Sequence, residues 1–209
     1  MALLDARRDP PPAKVIAAAV EALSGGDIIG VPTDTVYGLA ADPFHSGAVD
    51  RLFRVKGRPR AVELPVLVAD IDQALSLATA VPESAILLMG KFWPGPLTLV
   101  LPRLQGLEAD LGEDEATIGV RCPAHPVPRA ICQEIGAIAT TSANRHGEPP
   151  ITRGDVLYEQ LGAEVAVILD AGICDGTPST VLDCTGDEPR VLRHGALSEA
   201  TIWEYLAED

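Results

Sequence analysis

The 209-residue sequence predicts an α/β fold, a twisted mixed parallel and antiparallel sheet with flanking helices, and three patterns lead to it. Apolar residues at helical spacing alternate along the chain with short β-branched runs, as in sheets covered by helices. The run "LPVLVA" is continuously apolar between turn signals, which suits a strand buried on both faces. The strands "LTLVLP" and "TIGVRCP" have no helix pattern between them, so part of the sheet is antiparallel.

In chain order, "PPAKVIAAAVEALSGGD" reads as a helix entered through prolines and closed by Gly25 and Gly26, which tolerate the left-handed cap conformation. A strand "DIIGVPT" and a turn-like "DTVYGLAADP" follow. "SGAVDRLFRVKGR" is a helix with Ser46 as a possible N-cap, apolar residues at Val49, Leu52, Phe53 and Val55, and an end near Gly57. After "LPVLVA" come the helices "DIDQALSLATA" and "PESAILLMGKFW", the second stopped by "PGP". Past the strand pair lie a helix "VPRAICQEIG", a strand "GAIATT", a helix "TRGDVLYEQLG" and a strand within "AEVAVILDAG". Strands around "STVLDC" and "RVLRHG" and a helix "SEATIWEYLAE" close the chain. No internal repeat or linker interrupts the order, so residues 1–209 read as one domain.

Composition narrows the function. Net charge is −14, which argues against broad binding to nucleic-acid phosphates, since that needs a basic face. The cations are clustered, however: Arg51, Arg54, Lys56, Arg58 and Arg60 fall within ten residues of a chain with 16 in all. Cys122, Cys132, Cys174 and Cys184 are scattered with no C-x-x-C pair, which suits a reducing cytoplasm, and the N-terminus carries no signal-like apolar core. No apolar stretch approaches the ~20 residues that span a bilayer. The expected setting is cytoplasmic, with no membrane.

Five stretches place polar residues where an apolar element ends beside Gly or Pro, the position at which α/β sheets bind ligands. "VPTDTVYGLAAD" carries Thr33, Asp34 and Thr35; an ordinary turn with Asp34 bonded to its own backbone would also explain it. "RVKGRPR" carries Lys56 and Arg58, which suit either a solvated helix end or a polyphosphate. "KFWPGPLTLVLP" makes a rigid corner with Thr98 behind it. In "IGVRCPAHP", Arg121 leaves a core strand and needs an anion, either a substrate carboxylate or one of the chain's own acids. "ATTSANRHGEPP" presents Thr141, Ser142 and Asn144, donors and acceptors suited to phosphate oxygens or a magnesium water shell. Ser179, Thr180 and Arg193 sit similarly in "TPSTVLDC" and "VLRHG". Phosphate-loop, dinucleotide and nucleophile-elbow signatures are missing, and His45, His125, His146 and His194 lack metal-ligand spacing. The residues alone describe a crevice of hydroxyls and cations for an anionic small molecule.

Taken in order, "PTDTVYGLAAD", "KGRPR", "WPGPLTLVL", "VRCPAHP", "TTSAN", "STVLDC" and "VLRHG" resemble the motifs of the YrdC family of L-threonylcarbamoyladenylate synthases, from about residue 12 to about 204. The resemblance implies a deep cationic cavity and a reaction joining L-threonine, bicarbonate or CO2 and ATP into threonylcarbamoyl-AMP and pyrophosphate. The product would pass to other proteins that complete the threonylcarbamoyl modification of a tRNA adenosine, with direct tRNA binding weak or absent. It implies that Lys56, Arg58, Thr98, Ser142, Asn144 and Arg193 face ATP, with Lys56 and Arg58 neutralising charge in place of a covalent nucleophile. Thr33, Arg121, Thr141 and Ser179 would hold threonine. Mg²⁺ would ride mainly on the ATP phosphates, near Ser142 and Asn144, without a protein cage. The sequence departs from the family pattern at Glu63, near an expected Pro, at Leu67, near an expected His, and at Pro150, where a small hydroxyl residue is common. The resemblance is to the short form, without the further C-terminal domain of longer members. Two rival readings are a paralogue performing another carbamoyl or adenylate transfer, and a non-catalytic RNA-binding module. The negative charge and an aromatic content of 4% oppose the second, since RNA platforms stack bases on aromatic rings.

Overall fold

The computed structural model describes residues 2–208 apart from His146 and Asp187, so His146 of the histidine set lies outside the described residues. Its centre is a ten-stranded sheet built from β1 (Ala2–Asp5), β2 (Ile29–Val31), β3 (Gly38–Ala41), β4 (Val66–Leu67), β5 (Leu97–Pro102), β6 (Thr117–Arg121), β7 (Ile138–Ser142), β8 (Val167–Asp170), β9 (Thr180–Asp183) and β10 (Arg190–Arg193). The strand order is β1-β8-β2-β3-β7-β4-β6-β5-β9-β10. The pairs β1·β8, β2·β8, β4·β6 and β5·β9 are parallel and the rest antiparallel, so the sheet is mixed as expected.

The helices are α1 (Ala13–Ser24), α2 (Ser46–Lys56), α3 (Ile71–Leu75), α4 (Glu83–Phe92), α5 (Pro126–Ile135), α6 (Gly154–Leu161) and α7 (Glu199–Glu208). α2 ends as its sequence demands, with Gly57 left-handed at φ 65°. At the other end His45, not Ser46, is the N-cap, and it makes no side-chain cap bond. After α1 the left-handed residue is Gly26 (φ 78°), while Gly25 stays right-handed. His125 caps α5 by accepting the Val127 N–H at 3.2 Å. Two strands escape the sequence reading. The turn-like "DTVYGLAADP" contains β3, which pairs with both β2 and β7, and the N-terminal "ALLD" adds β1 to the sheet edge beside β8.

Two apolar clusters lie on opposite faces of the sheet, and successive residues alternate between them. In and beside β4, Val66 and Val68 enter one cluster and Leu67 and Ala69 the other, as a strand buried on both faces must. α1 and α5 cover the second face over the β2, β4 and β8 region. Beyond it, in β5 and β6, the alternation continues but the chemistry changes. Leu97, Leu99, Leu101, Ile118 and Val120 join the first cluster, while Thr98, Val100, Thr117, Gly119 and Arg121 line a cavity. That cavity occupies the stretch of sheet where apolar residues give way to hydroxyl, glycine and arginine on one face.

All four cysteines are buried and free, and the Cys122 thiol donates to the Ala69 carbonyl at 3.2 Å. Burial pushes that thiol above its ordinary range, so it packs as a small hydrophobe. Among the described residues no helix is long and apolar enough to cross a membrane.

Candidate active site

The cavity encloses about 440 Å³ and is walled by the segment after β2, the start of β3, the ends of β6 and β7, one face of β5 and β9, and Arg193 of β10. It gathers Thr33, Arg58, Thr98, Arg121, Thr141, Ser142, Asn144, Ser179 and Arg193, residues separated by up to the length of the domain. Gly38 and Gly119 open its floor. A Cβ on Gly38 would stand 3.0 Å from Thr140 Oγ1, and one on Gly119 would stand 3.2 Å from Pro65.

Three arginines supply its charge. Arg121, at the end of β6, is 6% exposed and held on three sides. Its Nε donates to Gly95 O at 3.0 Å, one terminal nitrogen to Thr35 Oγ1 at 2.9 Å, and the other to Asp34 Oδ1 at 2.6 Å. The acid that answers this arginine is therefore Asp34, which also accepts the Ala124 N–H at 3.1 Å. Asp34, in the segment after β2, thus pairs with Arg121 at the end of β6, in place of the alternative self-bonded turn. Arg58 donates from Nε to Val62 O and from a terminal nitrogen to Glu63 O, both at 2.7 Å. Arg193 grips Ser179 through its carbonyl (3.1 and 2.9 Å) and its hydroxyl (3.0 Å). The Ser179 hydroxyl lies 2.9 Å from Thr98 Oγ1.

Arg58 and Arg193 each engage Nε and one terminal nitrogen, whereas all three nitrogens of Arg121 donate, each terminal one through a single bond. Burial pushes all three arginines below their usual range. The neighbouring charge of Arg193 adds to the effect at Arg58, and that of Arg121 adds to it at Arg193. Crowded, partly desolvated cations repel one another, and an anion between them relieves the repulsion. Glu63 is the carboxylate among the described lining residues.

Lys56, expected to face the nucleotide, stands behind the wall in this structure, 6% exposed and outside the cavity lining. At the end of α2 its ammonium is aimed at the turn after β7. It donates to Ser142 O (2.7 Å), Ser142 Oγ (3.0 Å), Asn144 O (2.5 Å) and Asn144 Oδ1 (2.8 Å). The Asn144 amide then donates to Arg145 O at 3.0 Å and Glu148 O at 2.6 Å, so the whole turn is bonded internally. Thr33 is similar, its hydroxyl donating to Val36 O at 2.6 Å and accepting the Thr35 and Val36 N–H groups at 3.1 Å. Thr141 is the opposite case, with Oγ1 buried and without a partner.

The same arrangement bears on Mg²⁺, expected to ride mainly on the ATP phosphates near Ser142 and Asn144. The Ser142 and Asn144 side-chain oxygens already accept from a cation, and among the described residues no group of three or more His, Cys, Asp or Glu side chains converges. The donors present do not fit a protein-held Mg²⁺.

The sequence reading missed Asp34 as the arginine partner, and Thr35 as its second anchor. A strand-ending arginine and a strand-ending aspartate were both visible, but only the pairing of distant strands brings them together.

Against known proteins, the Sua5/YciO/YrdC family model, described as "Telomere recombination", matches residues 21–195. The chain belongs to this family. Its Sua5/YciO/YrdC relatives include the threonylcarbamoyl-AMP synthase of Bacillus subtilis, 38% identical over 190 residues that make up 90% of this chain and 55% of that protein. A Mycobacterium tuberculosis relative, whose threonylcarbamoyl-AMP synthase name is provisional, is 42% identical over 93% of this chain and 90% of its own length. Among solved structures of the family, P. abyssi Sua5 complexed with L-threonine superposes with a TM-score of 0.89 at 34% identity, covering 99% of this chain and 61% of that one. E. coli YciO superposes with a TM-score of 0.85 at 26% identity, covering 95% and 97%. The mixed sheet with flanking helices is thus the Sua5/YciO/YrdC fold.

Proposed function

We propose that this protein is an enzyme that makes threonylcarbamoyl-AMP, a nucleotidyltransferase using L-threonine, bicarbonate or CO2, and ATP. The observation that carries the reading is the cavity itself, in which Arg58, Arg121 and Arg193 converge on a floor of hydroxyls. Its relatives point the same way: proteins named threonylcarbamoyl-AMP synthase match most of the chain, and the P. abyssi Sua5 structure holds L-threonine. This synthesis is the first step of tRNA threonylcarbamoyladenosine formation, and its product carries the activated group onward.

The chemistry asks for alignment and charge neutralisation more than for a nucleophilic side chain. The unprotonated threonine amine forms a bond to the carbon of CO2 and loses a proton, giving a carbamate. A carbamate oxygen then attacks the α-phosphorus of ATP, the bond from that phosphorus to the bridging oxygen breaks, and pyrophosphate leaves. Arg121, braced by Asp34, Thr35 and Gly95, would present its remaining N–H groups to the threonine carboxylate, with Thr33, Thr141 and Ser179 around it. Arg58 and Arg193 would face the phosphates, beside Thr98, Ser142 and Asn144. Lys56 would act one layer back, holding the 142–144 turn in shape. Mg²⁺ would enter bound to ATP as part of the substrate, and the chain supplies no step through it.

The unpartnered Thr141 hydroxyl makes this division testable. Thr141→Val removes a buried polar atom that has no partner, so the melting temperature should stay the same or rise, by about 1 kcal/mol in stability. The same change should raise KM for threonine about tenfold. Steady-state kinetics beside a thermal melt check both, and an unchanged KM would mean that no ligand reaches this hydroxyl.

The reaction itself is tested by pyrophosphate release from ATP and Mg²⁺. Release should require both threonine and bicarbonate, and fail with serine or glycine. Release indifferent to threonine would sink the reading.

A further inference from the structure

Glu63, in the segment between α2 and β4, has two attachments. Its backbone carbonyl accepts from Arg58 at 2.7 Å. Its carboxylate Oε1 accepts the backbone N–H groups of Glu113 and Asp114 at 2.9 and 2.8 Å. Asp114 carries the connection onward, accepting from the Ala116 N–H at 2.8 Å and the Thr117 hydroxyl at 2.6 Å, and Thr117 lines the cavity. The loop before β6 is shaped to receive this side chain. Gly112 adopts φ 141°, and a Cβ there would lie 2.5 Å from both carboxylate oxygens. Around that contact the two segments are tied again, by Leu64 N to Leu111 O at 2.8 Å, Glu113 N to Arg60 O at 3.2 Å, and an Arg60–Asp110 ion pair.

We propose that Glu63 is a positioning residue for the nucleotide half of the cavity. Its carbonyl holds Arg58 for the phosphates while its carboxylate fixes the loop before β6 and, through Asp114, the Thr117 hydroxyl that lines the cavity. This rests on the function proposed above, with Arg58 as a phosphate ligand. One residue thus ties a cation of the cavity to Thr117 on its lining. Threonine, held at the Arg121 end, lies outside this linkage.

The test is Glu63→Ala beside Glu63→Gln, whose amide oxygen can still accept both N–H groups. Glu63→Ala should raise KM for ATP about tenfold, with KM for threonine within about twofold and kcat within about threefold. Amide hydrogen exchange at Asp114, whose N–H bonds this carboxylate, should speed up about tenfold, as expected where a protecting hydrogen bond is lost. Glu63→Gln should recover most of both. If Glu63→Ala does not fold, Gly112→Ala carries the test, because its methyl group displaces the same carboxylate and should give the same split. Unchanged exchange, a joint rise in both KM values, or a fall in kcat alone would overturn the proposal. Wild-type protein that releases no pyrophosphate would sink the synthase reading alone. The linkage would then be read by exchange and by the ATP dissociation constant in calorimetry, where a tenfold weakening in Glu63→Ala supports it and no change refutes it.

Discussion

Arg121→Met lowers kcat/KM for threonine by about 10²–10³-fold, the scale of losing one buried charged partner for a carboxylate, about 3–4 kcal/mol. The expectation follows from how the guanidinium is held. Gly95, Thr35 and Asp34 engage all three of its nitrogens, so its remaining N–H groups are held in place before substrate arrives. The same substitution leaves Asp34 with the Ala124 N–H at 3.1 Å as its remaining bond, in a place where its side chain is 18% exposed. Stability should fall by about 3 kcal/mol, and Asp34→Asn added to Arg121→Met should restore much of it while leaving the kinetic defect. Thermal melts and threonine-dependent rates separate the two effects. Full threonine kinetics in a correctly folded Arg121→Met would reduce this arginine to a structural strut.

Lys56→Met has the second large effect, and on the other substrate. Four oxygens of Ser142 and Asn144 converge on its ammonium, and an apolar side chain leaves them buried and facing one another. Loss of the turn should lower kcat/KM for ATP by about 10²-fold or more. Burial, and then the charge of Arg58, lower this ammonium to about 8, against an opposing pull from Glu148. Below that pH the group is charged and donates to the turn; above it the group is neutral, with fewer hydrogens to give and a lone pair turned toward oxygen. The rate should therefore fall on the alkaline side with a midpoint near 8. The residual activity of Lys56→Met should lack that limb. A flat profile through pH 9 in the wild type would show that the turn holds without the proton.

Much of the fold is legible in the sequence because helices and most strands announce themselves by period and punctuation. β3 does not. "DTVYGLAADP" is dense in turn-forming residues, and its extended form comes from neighbours on both sides, with Gly38 permitting the close approach of Thr140. β1 is four residues at a sheet edge, and its only signal is the partner strand β8. In the site, polar residues at strand ends can be found from sequence, since they interrupt apolar runs. What each one touches cannot. Lys56 meets Ser142 across 86 positions and Arg121 meets Asp34 across 87, so the difference between a ligand-facing cation and a bracing one is fixed by topology alone. The alternation of Thr98 and Val100 with leucines, and of Thr117, Gly119 and Arg121 with Ile118 and Val120, was present in the sequence as a two-faced strand signal.

That alternation makes β5 and β6 a shared wall, with hydrocarbon insulation on one side and reaction vessel on the other. Adjacent letters of the sequence therefore answer to different surroundings: Ile118 and Val120 to the packed core, Thr117, Gly119 and Arg121 to the cavity. Substitutions can tune the vessel without loosening the insulation, provided the reading frame of the wall is kept. A single-residue insertion or deletion within β6 would turn the wall inside out, aiming leucine-like surface into the vessel and a guanidinium into the hydrocarbon.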